Sequence, residues 1–140
     1  PDSPTLFRND INRHISQMAV TRVASTASPW LDGFSCSELH SVAMSHGEGK
    51  FTADEKMLRQ LMANGQIAFQ YALPDGHPTM ESPYNPNGSS WAIEGIISPD
   101  GRILGKMGHS ERFREGLMKN VPGNKQQNIF RNAVRYFSGK

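Results

Sequence analysis

The sequence predicts an α/β fold, and three observations carry that expectation. Strand-like apolar runs alternate with one helical segment between His14 and Leu73, a hairpin signature spans Trp91 to Met107, and an amphipathic segment ends near Phe137. His14 to Ala24 reads HISQMAVTRVA, in which Ile15, Gln17, Ala19, Thr21 and Val23 oppose Ser16, Met18, Val20 and Arg22. Apolar residues on both faces mark a covered strand. A turn-rich stretch with Ser28-Pro29 and Asp32-Gly33 follows, and Ser41-Val42-Ala43-Met44 then forms a second strand stopped by Gly47. Thr52-Ala53-Asp54-Glu55 has the form of a capping box, with Thr52 as acceptor for a first-turn N–H and Glu55 reaching back. Met57, Leu58, Leu61 and Met62 repeat at helical spacing beyond it, and Asn64-Gly65 supplies a left-handed stop.

Ile67 to Leu73, IAFQYAL, is a strand by its β-branched and aromatic content, closed by Pro74-Asp75-Gly76. Two apolar runs, WAIEGII and RILGKM, flank Ser98-Pro99-Asp100-Gly101, whose residues suit a tight turn between paired strands. Gly116 to Gly123 reads as loop, and Ile129, Phe130, Ala133, Val134 and Phe137 are placed on one face of a closing helix.

The chain has 140 residues, enough for one domain or a piece of one, and residues 1–140 show no internal boundary. A hydrophobic fraction of 36%, thirteen Gly and nine Pro describe a turn-rich protein in which long helical bundles are not expected. The net charge is only +2 and no basic stripe is present, so a nucleic-acid partner is not expected. Nothing approaches the roughly 18 apolar residues of a membrane helix, so no membrane partner is expected either. The single cysteine, Cys36, excludes an intrachain disulfide and fits a cytoplasmic setting. The opening Pro1-Asp2-Ser3-Pro4 has neither Met nor a signal core, which fits a chain cut from something longer.

The residues able to carry chemistry fall in three places. Gly108-His109-Ser110-Glu111 follows the second hairpin strand, where a chain leaves the end of a sheet. On an extended backbone, residues two apart point the same way, so Glu111 could accept Nδ1–H of His109 and orient it as a general base. The bland alternative is a solvated His beside a Glu that pairs with Arg112 or Arg114. Ser45-His46-Gly47-Glu48-Gly49 places two glycines around a carboxylate after an apolar strand, allowing close backbone approach to a ligand, or merely turning the chain. Asn85-Pro86-Asn87-Gly88-Ser89 is either a third functional loop or a turn cluster.

Taken in order and at these intervals, the three segments resemble the glutamine amidotransferase domain of the phosphoribosylformylglycinamidine synthase family. Pro4-Thr5-Leu6-Phe7-Arg8-Asn9 near the start and Asn128-Ile129-Phe130-Arg131-Asn132-Ala133 near the end extend the similarity over nearly the whole chain. The resemblance implies a class I glutamine amidotransferase-like fold, a flavodoxin-like open sheet that is incomplete here, together with the β-hairpin and C-terminal helix. It also implies a Cys-His-Glu triad in which His109 and Glu111 match the last two members. The family's cysteine sits in a glycine-flanked elbow upstream of the region matching Pro1, so this fragment is expected to lack its nucleophile and to be inactive alone. The family motif carries prolines on both sides of the His, where Gly108 and Ser110 stand here.

Cys36, within Phe34-Ser35-Cys36-Ser37-Glu38, has no flanking glycines and no helix after it, and is expected to be an ordinary thiol among buried small residues. By analogy with related amidotransferases, Ser45, His46 and Gly47 are candidate contacts for the glutamine backbone groups. The resemblance further implies that the parent enzyme hydrolyses glutamine and passes ammonia to a synthetase domain that uses ATP and Mg²⁺ to convert formylglycinamide ribonucleotide to its amidine. The fragment itself is expected to hold no cofactor and no metal. Its expected partners are glutamine, the upstream half of its own domain, the synthetase domain and, through an uncovered surface, further copies of itself. Two rival readings are a non-catalytic binding module and a metal-dependent enzyme using His46, Glu48, His109 and Glu111, a nitrogen and oxygen set suited to zinc, iron or manganese.

Overall fold

The structure is a computed structural model that describes residues 3–139. Pro1 and Asp2 of the opening stretch, and the chain end at Lys140, lie outside the described residues. Among the described residues, seven strands and two α-helices follow the order β1 (Thr5–Phe7), β2 (Ile15–Val23), β3 (Leu39–His46), β4 (Lys50–Thr52), α1 (Glu55–Ala63), β5 (Ile67–Tyr71), β6 (Ile93–Ile97), β7 (Leu104–Lys106) and α2 (Ile129–Phe137). The main sheet is antiparallel throughout, in the order β3-β2-β5-β6-β7. A second, two-stranded sheet pairs β1 with β4, with Thr5 opposite Thr52.

The central strand shows why the sheet lies inside the molecule. All five residues of β5 are buried, and they feed separate apolar clusters. Ile67 joins Phe51, Leu58, Leu61 and Ile93 under α1. Ala68 and Phe69 join Val23, Leu31, Ile97 and Ile129 toward α2. Tyr71 packs with Ala19, Val42, Met44 and Ala92 near the end of β3. A strand buried on both faces must be uniformly apolar, and the one exception, Gln70, donates its amide N–H to the Trp91 carbonyl at 2.9 Å.

The hairpin forms where the turn chemistry placed it. Gly101 N–H reaches the Ser98 carbonyl at 2.9 Å, and Gly101 adopts φ +72° with an added Cβ falling 2.5 Å from the Ala27 carbonyl oxygen, so only glycine fits. Ser28 Oγ donates to the Gly101 carbonyl at 2.6 Å and ties the turn to the loop after β2.

Two helical details differ from expectation. Helix α1 is capped by Asp54, whose carboxylate accepts Met57 N–H at 2.7 Å, because Thr52 is committed to β4. Met62 is largely exposed, and Leu58 and Leu61 carry the packing. In α2 the buried face is Ile129, Asn132 and Ala133, whereas Phe130, Val134 and Phe137 are each at least half exposed. The stripe is displaced because Asn132 turns inward, donating to the carbonyls of Trp30 at 3.0 Å and Asp32 at 2.8 Å. Strands β1 and β4 carry no sequence signal of their own, since three residues show no period and their pairing spans more than forty positions.

Candidate active site

The site is built at the end of β3, where three segments distant in sequence meet. Chain leaving β7 crosses to β3, and His109 N–H donates to the Ala43 carbonyl at 2.8 Å in an isolated antiparallel bridge. Ser110–Arg112 then forms one 3₁₀ turn. This turn, rather than an extended backbone, brings Glu111 back onto His109, with Nδ1 and Oε1 2.6 Å apart. The imidazole is 29% exposed and the carboxylate 53%, so the pair opens to solvent on one side. Partial burial pushes the Glu111 carboxyl upward, but the bonds from the His109 ring and its own N–H, with the nearby positive charges, prevail and hold it below its ordinary value. A carboxylate bonded to Nδ1–H leaves Nε2 as the proton acceptor, the arrangement a general base requires.

The loop at Ser45 to Gly49 lies beside it and is clamped from two directions. Asn9, which is buried, donates its amide to the His46 carbonyl at 2.7 Å and accepts Gly49 N–H at 3.2 Å, while its own N–H meets the Gly47 carbonyl at 3.0 Å. Asn87 donates to the Gly49 carbonyl and to the Tyr71 hydroxyl, both at 2.9 Å. The turn at Asn85 to Ser89 is itself closed by paired bonds, with Asn85 Nδ2 on the Ser89 carbonyl and Asn85 Oδ1 accepting Ser89 N–H. The two glycine-rich motifs thus form one polar unit.

Gly49 permits this packing, because a Cβ there would fall 2.3 Å from the His46 ring. Burial lowers the His46 pKa and prevails over an opposing backbone hydrogen bond, and the proximity of His109 and His14 adds smaller contributions in the same direction as burial. His14 was missed in the sequence, where it reads as the residue before a strand; its Nε2 lies 3.2 Å from Ser45 Oγ. Asn9 was missed too, since only the folded loop shows what it holds.

Two expectations are corrected. The grouping of His46, Glu48, His109 and Glu111 as metal ligands is not assembled: Glu48 faces Arg8 on the surface at 3.8 Å, and among the described residues no three His, Cys, Asp or Glu side chains are placed to hold a metal ion. Cys36 is exposed rather than buried, because it sits in a turn closed by Glu38 N–H on the Ser35 carbonyl. It precedes β3, whereas His109 bonds Ala43, four residues into that strand from Leu39 and hence about 13 Å further along at the usual strand rise.

The model of the CobB/CobQ-like glutamine amidotransferase domain family matches residues 1–137. The chain is 38% identical over 118 residues to phosphoribosylformylglycinamidine synthase subunit PurQ of Moorella thermoacetica, covering 84% of this chain and 49% of that protein. It is 33% identical over 134 residues to the PurQ subunit of Chlorobaculum tepidum, covering 96% of this chain and 55% of that one. The chain therefore spans about half the length of these relatives. The structure of PurLQS from Thermotoga maritima superimposes with a TM-score of 0.69 at 18% identity, covering 96% of this chain and 53% of that one, which shows a shared fold. Matched by the family model over nearly its whole length and similar to PurQ subunits across most of it, the chain belongs to the CobB/CobQ-like glutamine amidotransferase domain family.

Proposed function

We propose that this chain is the C-terminal, base-bearing part of a glutaminase that supplies ammonia for purine biosynthesis, and that the nucleophile is a cysteine outside these 140 residues. The observation that carries the reading is the 2.6 Å contact between His109 Nδ1 and Glu111 Oε1 on a turn bonded to β3. Placing Cys36 at the far end of β3 supports a nucleophile elsewhere, since base and thiol must lie within hydrogen-bond reach of each other.

In this mechanism His109 Nε2 takes the thiol proton as sulfur attacks the carboxamide carbon of glutamine. The proton then goes to the departing nitrogen, ammonia leaves, and a thioester remains. His109 next removes a proton from water, which attacks the thioester; glutamate is released and the thiol is restored. Glu111 keeps the imidazole in the correct tautomer and stabilises its cation. Ser45, His46 and Gly47 are proposed to meet the glutamine backbone groups, although the clamp by Asn9 already engages the carbonyls of His46 and Gly47.

Ammonia would pass to a synthetase partner that uses ATP and Mg²⁺ to form the amidine of formylglycinamide ribonucleotide, in an assembly proposed to work in the cytoplasm. No helix among the described residues is long and apolar enough to cross a membrane. The deciding experiment is His109→Ala in the full-length source protein, assayed with glutamine and separately with added ammonia. Loss of the first activity alone supports the reading, and survival of both removes His109 from it.

A further inference from the structure

Beneath the His109 turn lies a buried ion pair that the proposed chemistry does not use. The Glu94 side chain on β6 is fully removed from solvent and Lys106, the last residue of β7, is 8% exposed; their Nζ and Oε1 atoms are 3.5 Å apart. Desolvating such a pair offsets much or all of its mutual attraction, so stability alone is a weak reason for its presence. Its other bonds converge on the residues flanking His109. Glu94 Oε1 accepts Gly108 N–H at 2.5 Å. Lys106 Nζ donates to the Gly108 carbonyl, to Ser110 Oγ and to Gln127 Oε1, each at 3.0 Å. Ser110 Oγ donates in turn to Gln127 Oε1 at 2.6 Å.

Residue types at the two flanking positions fit this network closely. A Cβ at position 108 would fall 2.8 Å from Glu94 Oε1 and 2.7 Å from Val42 Cγ2, so glycine admits the carboxylate. Glycine and serine restrict the backbone far less than prolines would, and prolines would offer neither the N–H that Glu94 accepts nor the hydroxyl that Lys106 and Gln127 engage. Hydrogen bonds from below therefore supply the rigidity that ring closure would otherwise give.

We infer that Glu94, Lys106 and Gln127 are positioning residues that hold His109 and Glu111 in register for proton transfer, acting through the Gly108 backbone and the Ser110 side chain. The inference rests on the proposed base role of His109. Its test is the double variant Glu94→Leu/Lys106→Met in the full-length source protein, which leaves neither charge of the pair buried and keeps similar volume while removing the bonds that Glu94 and Lys106 make to residues 108 and 110. Glutamine hydrolysis is expected to lose about 100-fold in kcat, as a displacement near 1 Å does. The KM for glutamine should move less than about twofold, because substrate contacts are untouched. Synthesis from added ammonia reports that the protein is folded.

A kcat within about twofold of the unmodified protein, with ammonia-dependent synthesis retained, overturns the inference. If the double variant does not fold, Ser110→Ala decides: a loss of about tenfold in kcat supports the network, and an unchanged kcat overturns it. His109→Ala run alongside separates the two readings. Activity surviving in it defeats the base assignment and the network together, whereas activity lost in it but kept in the double variant defeats the network alone.

Discussion

At the scale of single residues, the proposed role of His109 as a base rests on the partner of its other nitrogen. The Glu111 contact at 2.6 Å fixes one tautomer, and the bridge to Ala43 fixes the backbone that carries it. His109→Ala in the full-length protein should therefore abolish glutamine-dependent activity by several orders of magnitude, while Glu111→Gln, which keeps shape but supplies a weaker acceptor, should cost the same or less. More than about a tenth of the original glutaminase rate surviving in His109→Ala would count against the role. Cys36 supplies the converse case. Exposed at the far end of β3, it should tolerate Cys36→Ser with glutamine turnover near normal, and a folded but inactive variant would relocate the nucleophile to this chain. The His109–Glu111 pairing was legible because the two residues lie two positions apart, within one local turn, whatever the exact backbone. Asn9, His14 and Glu94 were not legible: each acts on a loop or turn placed beside it by long-range pairing, and Glu94 lies inside the apolar run WAIEGII, where nothing local marks it as paired.

Among the elements, β3 links the site to the stability of the fold, since it carries both His40 and His46. Burial holds each imidazole below its ordinary pKa, and for His40 this prevails over Glu38, whose Oε1 lies 3.0 Å from Nε2 but off the hydrogen-bonding axis. The unfolded chain, with histidines near about 6.5, then binds more protons than the folded one. Stability contributed by the neutral rings is complete above that value and is lost as pH falls through it toward the folded values. Glu111 contributes in a more acidic window, because its lowered pKa adds stability above the ordinary carboxylate range that disappears only as pH drops through the folded value. The thermal midpoint of the full-length protein should accordingly decline between about pH 7.5 and 5.5, and His40→Gln/His46→Gln should flatten that decline. An unchanged slope in the double variant would assign it to other groups. Elements with internal signals, such as β2, β5, the hairpin and the helix opening near Asp54, were legible from period and turn chemistry. Strands β1 and β4 and the true face of α2 were not, because one depends on pairing across the chain and the other on Asn132 seeking carbonyls in a distant turn.

For the whole molecule, the arrangement of apolar surface complements the arrangement of the site. Phe130, Val134, Tyr136 and Phe137 on and beside α2, Ile103 near the hairpin turn, and Leu6 and Phe7 on β1 are each roughly half exposed or more. A cleft of about 310 Å³ lined by Leu6, Phe51, Ile93, Ile96 and Met107 opens between β1 and the sheet. Strand β7 pairs only with β6 among the described residues, leaving an edge of the sheet open. Exposed apolar area beside an unpaired strand edge favours association, and with the nucleophile outside these residues, as proposed, the imidazole has nothing to activate. The 140-residue chain alone is therefore expected to self-associate and to release no glutamate from glutamine. Light scattering across a concentration series, with a glutamate assay on the same samples, checks both halves. A monomer at all concentrations would show that these surfaces are tolerated by water as they stand. Glutamate release abolished by Cys36→Ser would place the nucleophile within this chain, and release that survives Cys36→Ser but not His109→Ala would show that the imidazole and Glu111 act on the amide without a thiol.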